Sequence, residues 1–220
     1  MKYKTCVSIG EKNPKKLKTI LKKALSKSDY AEIRFDYLKK ADIPLVLENN
    51  KKNLQKCVCT LRPKNEGGLF TGSENERKSI LRLMAEFNPF LLDVEFNTIK
   101  KDKKFARYLK NSKCKILVSW HDFKKTPNEF QLKSQFRKMV KFSDMIKIVT
   151  FAKNVNDTSK VLSLYSVKSR NKIIAFCMGE SGKFSRILCL HLGSSFTYVS
   201  LGKAIAPGQF TLNEIKLLEN

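Results

Sequence analysis

Two histidines, one tryptophan and a thin supply of carboxylates are the first limits this sequence sets. Cys57 and Cys59 form the one close cysteine pair, and no second pair stands at zinc-ribbon spacing. With so few histidines to help, a structural metal site is not expected, nor is any cofactor. No apolar run reaches the roughly 18 residues that a membrane-spanning helix needs. The lysine-flanked apolar patch in the opening MKYKTCVSIG is too short for the core of a signal peptide, so the expected compartment is the cytoplasm. Acidic residues number 20 against 44 Lys and Arg, a formal net charge of +24. Such an excess favours small anionic ligands and, in principle, polyanions such as nucleic acid. The lysines, however, recur as scattered pairs (Lys15-Lys16, Lys22-Lys23, Lys39-Lys40, Lys51-Lys52, Lys100-Lys101) without any RRM, KH or zinc-finger pattern, which reads as a basic solvated surface.

What is present fits one folded domain spanning 1–220. The chain is long enough to bury a core, and its hydrophobic fraction of 42% is ordinary for a folded protein. The six cysteines sit mostly inside apolar runs, where reduced thiols pack as small hydrophobes.

Eight short β-branched or apolar runs follow one another, at 4–9, 31–37, 57–62, 90–96, 115–121, 145–150, 172–178 and 197–202. Stretches of helical period lie between them, including NPKKLKTILKKAL, SENERKSILRLMAEF, PNEFQLKSQFRKMVKF and DTSKVLSLYSVKS. Asn75-Glu76 and Pro127-Asn128-Glu129 read as helix starts. Strand and helix thus alternate about eight times with a period of roughly 27 residues, the order of an α/β protein built as a single-domain (β/α)8 (TIM) barrel. A doubly wound sheet would want a glycine-rich turn after its first strand, and SIGEKNPKK is not one.

That fold puts chemistry at the C-terminal ends of the strands. Polar residues there share strand parity: Glu32, Arg34 and Asp36; Thr60 and Arg62; Asp93 and Glu95; Ser119 and His121. Charges inside apolar strands are costly unless paired, so several in register point to a polar site. Lys147, in the middle of Met-Ile-Lys-Ile-Val, is the sharpest case, because burial disfavours its charged form and Arg34, Arg62 and Arg186 would add to that if they converge on it. A neutral amine can attack a ketone, and the resulting imine is an electron sink. His121 closes its strand in Ser-Trp-His-Asp-Phe as a proton carrier, whereas His191, after a helical apolar stretch, reads as structural. The segment MGESGKFSR fails as a phosphate loop: Cys177 stands where the first glycine belongs, and Phe184 follows Lys183. It is instead a glycine turn leading into a helix whose first turns carry Arg186, a cradle for a carboxylate or phosphate.

In chain order the motifs are EIRFD, TLRPKNEGG, LLDVEF, SWHDFKKTP, IKIVTFA, MGESGKFSR and APGQ. Together they resemble type I 3-dehydroquinate dehydratase, a (β/α)8 hydro-lyase of the shikimate pathway of aromatic amino-acid biosynthesis. The resemblance implies that Lys147 forms a Schiff base with the C3 ketone of 3-dehydroquinate. His121 then removes a C2 proton and protonates the departing C1 hydroxyl, with Glu66 orienting the imidazole. It further implies that Arg186 and Gln209 hold the substrate carboxylate, while Glu32, Arg34 and Arg62, with Ser8 beside them, meet the hydroxyls and order the site. A homodimer is also implied. The departure is Ile205, where the family commonly has a small hydroxylated residue just before Ala-Pro-Gly-Gln. One neutral hydrogen bond is worth on the order of 1 kcal/mol, so weaker binding rather than lost activity is expected, with 203–210 still acting as a lid. A class I aldolase, which also builds an imine on a barrel strand, and a basic nucleic-acid-binding protein are the competing readings.

Overall fold

Local chemistry fixes where the helices begin. Asn13 accepts from the backbone N–H groups of Lys15 and Lys16, and Pro14 occupies the first turn of α1 (Pro14–Leu25). Leu17, Leu21 and Ala24 fall on its buried face, while Lys22 and Lys23 sit in the last turn against the negative end of the helix dipole. Asn128 and Gln131 close a reciprocal capping box at the start of α6 (Glu129–Met139), the helix start expected at that point. The other expected start lies slightly earlier, since Ser73 rather than Asn75 caps α3 (Glu74–Glu86).

The computed structural model describes residues 3–202 and 204–219. Its strands are β1 (Thr5–Ile9), β2 (Tyr30–Arg34), β3 (Cys57–Thr60), β4 (Leu91–Glu95), β5 (Ile116–Asp122), β6 (Met145–Phe151), β7 (Lys172–Met178) and β8 (Thr197–Val199). Besides α1, α3 and α6, the connections carry α2 (Ile43–Leu54), α4 (Phe96–Lys101), α5 (Lys103–Asn111), α7 (Val155–Leu162) and α8 (Ser185–His191), and α9 (Leu212–Leu217) follows β8. This is the (β/α)8 order read from the sequence. No helix among the described residues is long and apolar enough to cross a membrane.

By their packing the described residues form two compact units, one of Val7–Leu117 and one running from Val118 onward with the residues up to Cys6. In the first, β2, β3 and β4 follow chain order, with parallel register such as Arg34 opposite Thr60 and Thr60 opposite Asp93. Its core packs Ile33, Phe35, Leu47, Val58, Leu92 and Phe105. In the second, β6 runs parallel to β7 with Lys147 opposite Ile174, and the core includes Leu132, Phe136, Ile146, Ile148 and Phe196. All six cysteines are buried free thiols, as their apolar settings implied.

Three strands stop two or more residues sooner than the apolar runs suggested. β2 ends at Arg34, and Phe35–Tyr37 forms a 3-10 turn, so Asp36 is a turn residue rather than the third member of a strand face. β3 ends at Thr60, which leaves Arg62 just beyond it, and β8 spans only Thr197–Val199. After β3 the chain folds back on itself: Gly68 donates to the Pro63 carbonyl at 2.9 Å, and Phe70 donates to that of Arg62 at 3.3 Å. A Cβ on Gly68 would lie 2.0 Å from the Arg62 carbonyl oxygen, so only glycine lets the strands of this loop approach. Gly68→Ala should therefore cost about 1–3 kcal/mol, the range for forced overpacking, read as a lowered urea midpoint with an unchanged slope. An unaltered midpoint would show that the loop yields freely.

Candidate active site

In the Val7–Leu117 unit the strand-end charges are tied to one another. The Thr60 hydroxyl donates to Glu32 Oε1 at 2.8 Å, joining the ends of β2 and β3. Arg34 grips Asp36 through Nε at 2.8 Å and Nη2 at 2.7 Å, and Asp36 also accepts from the Leu69 backbone N–H. Burial alone would lower the pKa of Arg34, but the Asp36 ion pair outweighs it and the net shift is upward. Arg62 is buried, with Nη2 on Asp93 at 2.6 Å and Nη1 on Glu95 at 2.8 Å. Here too burial opposes the charge and the two carboxylates more than offset it, leaving the guanidinium firmly protonated.

Glu66 is the exception in this unit. It is buried in the turn after β3, and burial first, then repulsion from Glu95, pushes its carboxyl up to about 7, with Arg62 opposing. Asn97 donates to its Oε1 at 3.4 Å. Ser8, near the end of β1, is also buried.

The second unit carries the amine. Lys147 is only 6% exposed in the middle of β6, and its Nζ lies 4.0 Å from the centre of the Tyr198 ring on β8. Tyr198 in turn meets Phe176 at 6.4 Å between ring centres, and the Arg186 guanidinium lies over Phe176 at 4.3 Å. An aromatic bridge thus runs from the amine to a buried guanidinium. Arg186, in the first turn of α8, has no hydrogen-bond partner for its Nε among the described residues, and its Nη2 donates to the Pro207 carbonyl at 3.1 Å. Burial brings its pKa down to about 10. An oriented, buried guanidinium with a vacant donor is a receptor for a carboxylate.

The segment before α9 closes around this group. Gly208 adopts φ +68° and approaches the Gly179 carbonyl so closely that a Cβ would lie 2.6 Å from it. Gln209 is buried, and its Oε1 accepts from the Ile205 backbone N–H at 3.0 Å, so the departure at Ile205 keeps a polar main-chain contact within the segment. Lys203, the first residue of the expected lid, lies outside the described residues. His121, half-buried at the end of β5, stacks near Phe123 at 6.1 Å. His191 accepts or donates a 2.8 Å hydrogen bond with the Tyr3 hydroxyl, the structural part expected of it.

Of the predicted site residues, Glu32 and Lys147 lie within β2 and β6, Ser8, Arg34, Arg62, Glu66 and His121 near or beyond strand ends, and Arg186 and Gln209 in α8 and the 204–210 segment. Sequence reasoning missed Tyr198 and Arg77. Tyr198 lay in an ordinary β-rich run; its parity with Ser200 gave no chemical signal. Arg77 sits in a helix that looked solvent-facing, yet it is 1% exposed and bound to Glu74, Glu95 and Thr98.

Comparison with known proteins gives a consistent answer. The family model described as type I 3-dehydroquinase matches residues 5–218. The 3-dehydroquinate dehydratase of Methanococcus maripaludis (strain C7) is 36% identical over 214 residues, 96% of each chain. Among solved structures, the type I 3-dehydroquinate dehydratase of Clostridium difficile superimposes with a TM-score of 0.88 at 24% identity, over 98% of this chain and 91% of that one. The 3-dehydroquinate dehydratase of Aquifex aeolicus gives 0.81 at 26% identity, over 98% and 97%. The likeness over nearly the whole chain establishes the (β/α)8 barrel fold.

The raised Glu66 carboxyl has a consequence for stability. Its folded value of about 7 lies above the ordinary 4.5, so the folded state binds this proton more tightly than the unfolded one. Stability from this group is present below the ordinary value and is lost as pH rises through the folded value. Glu66→Gln, which cannot ionise, should escape that decline and gain about 1–3 kcal/mol on wild type between about pH 5 and about pH 8. Parallel urea titrations at the two pH values test this, and equal declines in both proteins would refute it.

Proposed function

Because this chain belongs to the type I 3-dehydroquinase family, we propose that it dehydrates 3-dehydroquinate to 3-dehydroshikimate through an imine on Lys147, as a cytoplasmic enzyme of the shikimate pathway. The observation that carries this reading is the pairing, within one unit, of a buried amine and a buried guanidinium with an open donor, joined by Tyr198 and Phe176. A small molecule bearing both a ketone and a carboxylate suits that pair: the carboxylate docks on Arg186 and its carbonyl is offered to Lys147.

The chemistry follows in balanced steps. Lys147 in its neutral form adds to the C3 carbonyl, and uptake of one proton with loss of water gives the protonated imine, the proton being released again when the imine is hydrolysed. That cation draws electrons from C2, which makes the C2 proton removable by an imidazole. His121 takes it, the electron pair forms the C1–C2 double bond, and the C1 hydroxyl leaves as water with the proton returned by His121. Water then hydrolyses the imine, releasing the enone and the amine. The Tyr198 face stabilises the cationic nitrogen on either side of attack. Glu66 is assigned the role of holding the His121 tautomer, and Glu32, Arg34, Arg62 and Ser8 the role of ordering the site and meeting substrate hydroxyls. Gln209 joins Arg186 at the carboxylate, and the whole chain acts as one catalytic domain without metal or cofactor.

Borohydride reduction in the presence of 3-dehydroquinate should fix substrate mass onto Lys147, read by peptide mass spectrometry. His121→Ala should still trap the adduct while its turnover, followed by enone absorbance, falls by about 10²–10⁴-fold. Active wild-type protein without an adduct on Lys147 would sink the mechanism.

A further inference from the structure

Arg77 lies on α3, a helix of the outer layer, and no part of the proposed reaction requires it. It is nonetheless one of the most deeply buried large side chains, at 1% exposure. Its Nη1 donates to Glu95 Oε2 at 2.5 Å and to the Leu61 carbonyl at 3.1 Å. Its Nε and Nη2 clasp Glu74 at 2.9 Å each, and Nη2 also meets the Thr98 hydroxyl, which itself donates to Glu74 at 2.7 Å. The far oxygen of the same Glu95, Oε1, receives Arg62 Nη1 at 2.8 Å, while Asp93 receives Arg62 Nη2. Glu95 is therefore a bridge with one guanidinium on each oxygen.

We propose that Arg77 is a positioning residue for the reaction, acting through Glu95 to aim Arg62 and to balance the buried charge around Glu66. The inference rests on the dehydratase reading above. Two buried guanidinium groups, Arg62 and Arg77, face two buried carboxylates, Asp93 and Glu95, so this set is neutral. Glu74, half-exposed at 51% of its side chain, closes the outer end in contact with solvent. Glu66 stands beside this set, facing Arg62, Asp93, Glu95 and Asn97, and Glu95 is the charge that pushes hardest against its ionisation. Removing Arg77 would leave Glu95 with one partner and the set with an excess negative charge. Glu66 would then ionise at higher pH, and Glu95 itself would be drawn towards protonation, loosening its hold on Arg62.

A residue that merely braced α3 would lower stability or activity alike at every pH. A positioning residue moves the pH profile. In Arg77→Met, the acid limb of kcat/KM for 3-dehydroquinate should rise by about one pH unit, so that the loss is about tenfold near neutrality and mostly recovered at alkaline pH. Arg77→Lys keeps the charge but cannot face Glu95, Glu74 and Thr98 at once, and its limb should rise by about half a unit. If Arg77→Met does not accumulate as folded protein, Arg77→Lys decides alone. A limb coincident with wild type, in whichever variants fold, overturns the proposal while leaving the dehydratase reading intact. An inactive wild-type protein would instead count against the dehydratase reading itself.

Discussion

The ion pairs that Arg62 makes with Asp93 and Glu95 are the constraint around which the Val7–Leu117 unit is organised. An arginine only 3% exposed is tolerable only with its charge met, and breaking such a pair costs about 3–5 kcal/mol. Everything nearby serves that requirement. β4 ends on the two carboxylates, β3 stops early enough for Arg62 to swing across to them, and Gly68 lets the returning loop pack on the Arg62 carbonyl. Glu66, on that same loop, is buried beside the cluster, and burial first and repulsion from Glu95 second push its carboxyl up to about 7. A geometric need at one residue thereby becomes an electrostatic property at another.

In the second unit Arg186 is held in another manner. Arg186 has no carboxylate among the groups that shift its pKa, and its neighbours are the Phe176 face, the Pro207 carbonyl and two thiols. Lys147 rests over the Tyr198 ring. A guanidinium held by a ring face and a main-chain oxygen keeps its charge available, because neither partner neutralises it. Cations locked on carboxylates shape a site, whereas a guanidinium held this way can accept an anion from outside.

Strand parity made much of this legible in the sequence. Glu32, Arg34, Arg62, Asp93, Glu95, His121 and Lys147 interrupt apolar runs at strand ends, and period two alone gathers them on one face of each strand. What parity could not supply was pairing. Asp36 looked like the third residue of a strand face, but the 3-10 turn after Arg34 folds it back as that arginine's partner. Arg77 was hidden for a related reason: a helix reading Glu-Asn-Glu-Arg-Lys has the composition of a solvated face, and nothing local says that its arginine turns inward to a carboxylate 18 residues away in the chain. Tyr198 was hidden because an aromatic in a strand is ordinary, and only the neighbouring strands decide what its face covers.

The basic surface finds its place in the same argument. Glu32, Asp36, Glu66, Asp93, Glu95 and Asp157 are all buried, so a chain already poor in acids keeps a good part of them inside. The exterior is left more one-sided than the composition implies, with lysine pairs scattered over the helices. Its field draws small anions towards the protein from every direction and supplies no specificity. Specificity must come from the buried groups instead, whose charges are fixed in place. Acids are buried against Arg62 and Arg77, whereas among the described residues none is paired with Arg186. The first two guanidinium groups are locked in place by that pairing, while Arg186 keeps a buried charge that its ring and main-chain neighbours do not offset.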